Sequence, residues 1–486
     1  MRVLYVASEI YPWVKTGGLA DVTASLPPAL ARAGVDVRLF LPGLPAIVDS
    51  LQQARTAAEL GAAFGAPKVR VLAGRLPGCP APAYVLDAPV LYDRPGNPYV
   101  DERGRDYADN HRRFALLGWA AAHFFDGRWR ADVLHAHDWH AGLAPAWLAT
   151  FGGPRPASVF TIHNLAFQGL VPADQAPELG LPGRFFDIDG IEFHGQASFM
   201  KAGLYFADRL TTVSPTYARE IQSAPAGMGL EGLLSGRADD LDGIVNGVDT
   251  EVWNPAADAH LPFAYTAADP APKVDNKAAL QAELGLAIEP TAPLFCLVSR
   301  LTEQKGLDLI AAALPAIVAA GGQFALLGSG DGALEAALRR EAEAYPARVS
   351  VTLGYDEALS HRLIGAADLI AVPSRYEPCG LTQLYGLRYG TLPVVTPVGG
   401  LADTVIDSNR RTLADGSATG FVVPQLSAQA TIQTVERAMA TYRRVRDWDK
   451  IRGNAMAADF GWDRSAARYA ALYAALAPAA DSRTTS

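Results

Sequence analysis

Two series of short apolar runs, each run followed by a longer amphipathic or Ala-rich stretch, pass through this 486-residue chain. The first series is Val3 to Ala7, Val35 to Leu41, Val69 to Leu72, Val133 to Ala136, Ser158 to Ile162 and Arg209 to Val213. The second is Leu294 to Ser299, Gln323 to Leu327, Val349 to Thr352, Leu369 to Pro373 and Leu392 to Thr396. Short β-rich runs with helical segments between them predict parallel sheets, because parallel neighbours need a crossover connection. A Pro- and Asp-rich stretch from Asn254 to Pro272 separates the series, so the expectation is α/β: two Rossmann-like doubly wound domains in tandem. Ligands in such sheets bind beyond the strand C-termini, and the two domains are expected to face a central cleft. Turn chemistry after Ile244-Val-Asn-Gly-Val-Asp249 puts the hinge near Gly243 to Trp253, giving expected domains at 1–245 and 246–460. Trp462 to Leu476 reads as a Tyr- and Ala-rich helix, and 481–486 as a tail.

Composition narrows the partners. With 50% hydrophobic and 19% charged residues the chain can bury two sizeable cores. A formal net charge of -9 argues against nucleic acid or an anionic membrane as a general partner, so any phosphate site must be local. The N-terminal apolar run is ended by Glu9, too short for a signal-peptide core, and no run is long enough to span a bilayer; a cytoplasmic location is expected. Cys79, Cys296 and Cys379 are too few and scattered for a disulfide framework or a Cys-rich zinc site.

Lys15-Thr-Gly-Gly-Leu-Ala-Asp21-Val22 lies between the first strand and a helical segment, Thr23 to Ala33. Gly17 and Gly18 permit close backbone approach, the following helix offers unpaired N–H groups, and Lys15 adds a mobile charge, so the loop suits a phosphate. Its spacing is neither that of a Walker loop nor that of a dinucleotide fingerprint. The sequence Gly17-Gly-Leu-Ala-Asp21 recurs as Gly399-Gly-Leu-Ala-Asp403, again before a predicted helix.

In the second half, Leu297-Val-Ser-Arg300-Leu-Thr-Glu-Gln-Lys305-Gly306 ends a strand and delivers two cations on one loop. An Arg fork and a Lys point charge can neutralise a departing diphosphate and take the place of a divalent metal, so no metal or cofactor is expected. Then Pro373-Ser-Arg-Tyr-Glu377-Pro-Cys379-Gly380-Leu381-Thr382 leads from a strand end into a helix read as starting at Gly380, whose N-terminus suits the second phosphate. Glu377, just before it, can hydrogen-bond sugar hydroxyls or stabilise positive charge on an anomeric carbon.

These motifs, in this order, resemble those of the glycogen and starch synthase family, from Lys15 to the last helix. The resemblance implies a GT-B retaining glycosyltransferase that moves glucose from ADP-glucose to the non-reducing end of an α-1,4-glucan such as glycogen, releasing ADP. It places His163, in Thr161-Ile-His-Asn-Leu-Ala-Phe-Gln-Gly169, against the transferred glucose, and Asn246 near the donor sugar. It makes Glu377, His163, Arg300 and Lys305 the catalytic candidates. Lys15, Gly17, Gly18, Leu19, Cys379, Gly380, Leu381 and Thr382 become donor contacts, with Tyr355 stacking on the base near the turn Gly328 to Gly332. Asp138 and Trp139 line the acceptor side with Asp21, and Tyr92 does so on the Pro- and Gly-rich loop Leu91 to Tyr99, read as exposed; loop tyrosines also serve as plain packing. The helix within 461–480 is implied to cross back to the first domain. One departure stands out: related retaining enzymes carry a second Glu eight residues after the first, where this chain has Tyr385, as glycogen and starch synthases do.

Two rival readings remain. His135-Ala-His137-Asp138-Trp-His140 has the look of metal ligands, though nine His in the chain leave few to complete a site, and His135 and His137 also read as structural. The same scaffold could serve as a non-catalytic glucan-binding or regulatory protein, but binding glucan alone would not need the phosphate-facing cations.

Overall fold

A computed structural model describes residues 1–127 and 129–476. The chain divides into two compact units, Met1–Gly247 with the terminal helix Trp462–Leu476, and Val248–Gly461. Asn246 therefore belongs to the first unit, and residues 477–486, including the expected tail, lie outside the described residues.

The first unit is built on nine strands: β1 (Arg2–Val6), β2 (Asp36–Pro42), β3 (Gln52–Ala63), β4 (Ala66–Arg75), β5 (Pro82–Asp87), β6 (Val133–His137), β7 (Ala157–Ile162), and, after a small separate sheet, β11 (Arg209–Thr212) and β12 (Leu241–Gly243). Their order is β12-β11-β7-β6-β1-β2-β5-β4-β3. The small sheet is β8 (Leu170–Pro172), β10 (Gln196–Ser198) and β9 (Glu192–Phe193), antiparallel. β1 is central because Val3, Leu4, Tyr5 and Val6 are all buried, leaving neither face for water. Each such buried side chain is worth roughly 1.5–3 kcal/mol of apolar burial.

Three features differ from the sequence expectation. Val69 to Leu72 lies in β4, which pairs antiparallel with both β5 and β3, so this edge of the sheet is not parallel. The Ala-rich β3, in a stretch that composition assigns to a crossover, is a largely exposed edge strand; its hairpin to β4 turns through Phe64 (φ 51°) and Gly65 (φ 83°), both left-handed as a two-residue turn requires. The helix after the glycine loop runs Gly18–Arg32, starting at the second glycine and not at Thr23. It packs on Trp462–Leu476, which is tied to the sheet by Tyr473 and to Val245 by Ser465 Oγ donating to its carbonyl at 2.6 Å.

The second unit has six parallel strands: β13 (Leu294–Val298), β14 (Gln323–Gly328), β15 (Val349–Leu353), β16 (Leu369–Val372), β17 (Leu392–Val395) and β18 (Phe421–Val422), ordered β15-β14-β13-β16-β17-β18.

In each sheet the chain reverses its direction of strand addition once. In the first unit β1, β2 and β5 go one way and β6, β7 and β11 the other, so the switch lies between β1 and β6. In the second it lies between β13 and β16. Adjacent connections leave on opposite faces at such a point and open a crevice beyond the strand C-termini.

Candidate active site

The switch of the first unit carries its predicted chemistry. Just beyond β1, the buried carboxylate of Glu9 (3% exposed) accepts from Thr16 N at 2.6 Å and Thr16 Oγ1 at 2.5 Å, pinning the glycine loop from inside. Tyr99 also donates to Glu9, and burial beside that carboxylate pushes the phenol well above its ordinary range. Lys15 Nζ sits 3.1 Å from Asp21 and 5.1 Å over the Tyr11 ring, so loop and helix start are joined by charge.

Beyond β6, Asp138 adopts φ 60°, a left-handed conformation costly for a non-glycine residue. Its carboxylate accepts from His163 N at 3.1 Å and Asn164 N at 3.3 Å, binding the ends of β6 and β7 together. Burial, with Glu9 nearby, raises its pKa to about 7 against the pull of those N–H groups. His163 Nε2 lies 3.0 Å from His137 Nδ1, and burial lowers its pKa to about 3, so the ring is neutral at physiological pH. His137 stacks on Tyr5 at 3.8 Å. His135 has both ring nitrogens engaged, with the Tyr473 hydroxyl and Thr161 Oγ1, each at 2.6 Å. Among the described residues no group of three or more His, Cys, Asp or Glu could hold a metal. Trp139 is half-buried, set edge-on to Phe114 at 5.0 Å.

The structure overturns the reading of Tyr92. Leu91 and Tyr92 close a short helix, Pro89–Tyr92; Tyr92 is 1% exposed and its hydroxyl donates to Arg113 O at 2.7 Å. The Pro and Gly that made this loop look exposed come after Tyr92, whose ring is claimed by the core. Tyr99, at the other end of the loop, is the aromatic that reaches the switch region, through Glu9.

The second unit places its predicted residues at its own switch. Arg300 is exposed just beyond β13. Lys305 follows on a turn closed by Gly306 (φ 62°), where a Cβ would come 2.0 Å from Pro373 O; only glycine lets the cation loop lie against the end of β16. Lys305 Nζ is 2.6 Å from Glu377 Oε2, and Ser374 Oγ donates to the same oxygen at 2.8 Å. Glu377 is 6% exposed. Gly380 (φ 73°) and Leu381 precede the helix, which runs Thr382–Tyr389 and so starts two residues later than the sequence reading; a left-handed glycine cannot be part of it. Cys379 is buried. Tyr385 stacks on Trp253 at 3.7 Å and 7°, so the position of the second Glu in related enzymes holds a packing residue here.

Gly328 and Gly330 serve packing: a Cβ would meet Ser299 O at 2.1 Å and Leu301 O at 2.3 Å, while Asp331 caps the helix Gly332–Ala344. Tyr355, 72% exposed, sits beyond β15, two strands from the switch. Asn246 is buried in the first unit. Sequence reasoning missed Glu9 and Ser374 as site residues. Glu9 had a signal, a lone acid three residues beyond a strand with four successive buried apolar residues, whereas a serine beside Arg and Glu has none.

Two doubly wound units, each with a lysine and a glycine turn on the loops at its switch point, have the architecture of a GT-B glycosyltransferase, and comparison with known proteins gives the class. Residues 2–236 match the starch synthase catalytic domain model and residues 285–452 the glycosyl transferases group 1 model. The chain belongs to the glycogen synthase family. It is 55% identical over 483 residues to the glycogen synthase of Leptothrix cholodnii, covering 97% of this chain and 99% of that one. Identity to the glycogen synthase of Variovorax paradoxus is 54%, over 97% and 98% of the two chains, and to that of Francisella tularensis subsp. novicida 51%, with the same coverage. Among solved structures it is similar to the catalytic domain of Arabidopsis thaliana starch synthase IV bound to ADP and acarbose, with TM-score 0.89 and 32% identity over 98% and 99% of the chains. The sucrose-phosphate synthase of Thermosynechococcus elongatus shares the fold at TM-score 0.60 and 20% identity, over 98% of each chain.

Proposed function

We propose that this chain transfers glucose from ADP-glucose to the non-reducing end of an α-1,4-glucan, with retention at the anomeric carbon and release of ADP. The observation that carries this reading is the pairing of Lys305 with Glu377 at the switch point of the second unit, directly before the Gly380 turn. Arg300, Lys305 and the backbone N–H groups of Gly380, Leu381 and Thr382 take the diphosphate as it leaves, and Lys15 with Gly17, Gly18 and Leu19 adds a second anion grip. Tyr355 offers an exposed ring to the base. On the acceptor side, Trp139 presents an apolar face to sugar C–H groups, and Asp21 and Asp138 accept from hydroxyls.

Retention needs either a nucleophile or attack from the leaving-group side. Glu377 has one oxygen held by Lys305 and Ser374, and Tyr385, stacked on Trp253, stands where related enzymes carry a second Glu, so attack from the leaving-group side is the reading we adopt. In that front-face attack the acceptor hydroxyl bonds to C1 as the C1–O bond to the diphosphate breaks, and its proton passes to the departing phosphate oxygen. Glu377 and neutral His163 then orient glucose and stabilise positive charge at C1. The relatives' names support glucan synthesis, and the ADP in the starch synthase structure supports the donor.

The test is to incubate the purified protein with glycogen and either ADP-glucose or UDP-glucose, with a chelator present, following nucleotide release and glucan extension together. Extension with ADP-glucose is expected; extension with UDP-glucose alone overturns the donor, and extension with neither overturns the activity.

A further inference from the structure

The repeat Gly399-Gly-Leu-Ala-Asp403 has no role in the site as described, yet it abuts the turn that carries Glu377. Gly400 N donates to Glu377 O at 3.0 Å. A Cβ on Gly399 (φ 42°) would stand 2.0 Å from Glu377 O, and one on Gly400 would stand 2.1 Å from Cys379 O. The glycine pair is therefore pressed against the main chain from 377 to 379.

Gln383 locks that contact from the other side. It is fully buried, and its Nε2 donates to Cys379 O and Gly380 O, each at 2.9 Å, and lies 3.3 Å from Thr404 Oγ1. Thr404 Oγ1 in turn donates to Gly400 O at 2.6 Å. Gln383 Oε1 is buried with no partner, a penalty accepted so that the amide nitrogen faces the two carbonyls. In a planar trans peptide the C=O and the next N–H point in opposite directions. Drawing the carbonyls of Cys379 and Gly380 inward therefore turns the N–H groups of Gly380 and Leu381 outward.

We propose that Gln383, braced by Thr404 and the Gly399–Gly400 pair, is a positioning residue that presents the Gly380 and Leu381 N–H groups to the diphosphate of the donor. This rests on the donor reading above and names what sets the geometry of its phosphate grip. The sequence repeat gains a use: each copy opens a helix beside an anion-binding turn, Gly18–Arg32 in the first unit and Gly399–Thr404 in the second.

The experiment compares ADP with adenosine by calorimetry, alongside steady-state kinetics, for the wild type, Gln383→Met and Thr404→Val. Both substitutions keep volume and remove only the polar contacts. With one buried hydrogen-bonded group worth about a factor of ten, Gln383→Met should weaken ADP about tenfold or more while leaving adenosine unchanged. It should lower kcat and leave the KM for glucan unchanged, and because it leaves buried carbonyls without their donor it should also lower the thermal transition by a few degrees. Thr404→Val should move the same quantities in the same direction by less, and it carries the test if Gln383→Met does not fold. Unchanged ADP affinity in both variants, or ADP and adenosine lost in proportion, overturns the proposal and leaves a plain packing role. A wild type that binds ADP no better than adenosine would instead overturn the donor reading itself.

Discussion

Lys305→Ala tests the core of the second unit's site. The Lys305 and Glu377 side chains are 18% and 8% exposed, and their 2.6 Å contact joins two separate strand ends. Removing one partner of a buried pair costs about 3–5 kcal/mol, since the remaining charge stays buried. Here Ser374 still donates to Glu377 and Lys305 is partly solvated, which brings the loss to about 2 kcal/mol. For a domain of this size that lowers its thermal midpoint by about 4–8 °C. The loss of a cation facing the departing diphosphate adds a separate effect, a fall in kcat of about 10²–10³-fold. Adding Glu377→Gln to Lys305→Ala removes the stranded charge, so the double variant regains most of the midpoint while activity stays low. Scanning calorimetry and ADP-release kinetics on the two single variants and the double variant read both effects. Near-normal turnover in Lys305→Ala and Glu377→Gln, or a single variant as stable as the double, would refute the reasoning.

Three further outcomes follow from the geometry. Asp138 has a folded pKa raised to about 7 from about 3.9, so the stability of its neutral form is fully present below about pH 4 and lost as pH rises through 7; Asp138→Asn should flatten that decline in urea-midpoint measurements across the window, and an unchanged slope contradicts it. Tyr92→Phe removes a buried hydrogen bond to Arg113 O and should cost about 1 kcal/mol of stability with no change in glucan KM; a raised KM at unchanged stability would restore the surface role that the structure denies. Gly169 has φ 57°, and a Cβ there would come 2.3 Å from the Trp139 ring, so Gly169→Ala should displace that ring and weaken glucan binding about tenfold while leaving ADP affinity alone, read by calorimetry with each ligand.

The residues whose place in the fold sequence reasoning anticipated are those on loops that leave a strand end. Arg300 and Lys305 lie on the loop after β13 and Glu377 on the loop after β16, and a doubly wound sheet delivers such loops to one edge. His163 came by the same logic and Asp138 from the family resemblance, but their joint environment came from neither, because the hydrogen bonds of Asp138 to the main chain at 163 and 164 depend on a left-handed conformation that no local pattern announces. β3 was illegible for a different reason: an Ala- and Glu-containing stretch favours helix locally, and only pairing with β4 makes it a strand. Tyr92 failed because exposure was inferred from the Pro and Gly after it, while burial is decided by what packs across from the ring. The Tyr385 substitution was visible at once; its purpose was not, since Trp253 lies far away in sequence.

Retaining transfer from ADP-glucose to a glucan, with the diphosphate held by the protein's own cations and N–H groups, fixes the anomeric form of the first bond made. The most direct measurement is real-time NMR of the first bond formed from ADP-glucose labelled at C1, with a maltooligosaccharide acceptor and chelator present. An α-1,4 signal that grows in step with ADP, with no β-linked precursor, is expected. A β linkage formed first, or ADP released into hydrolysis with no extension of the acceptor, would contradict it.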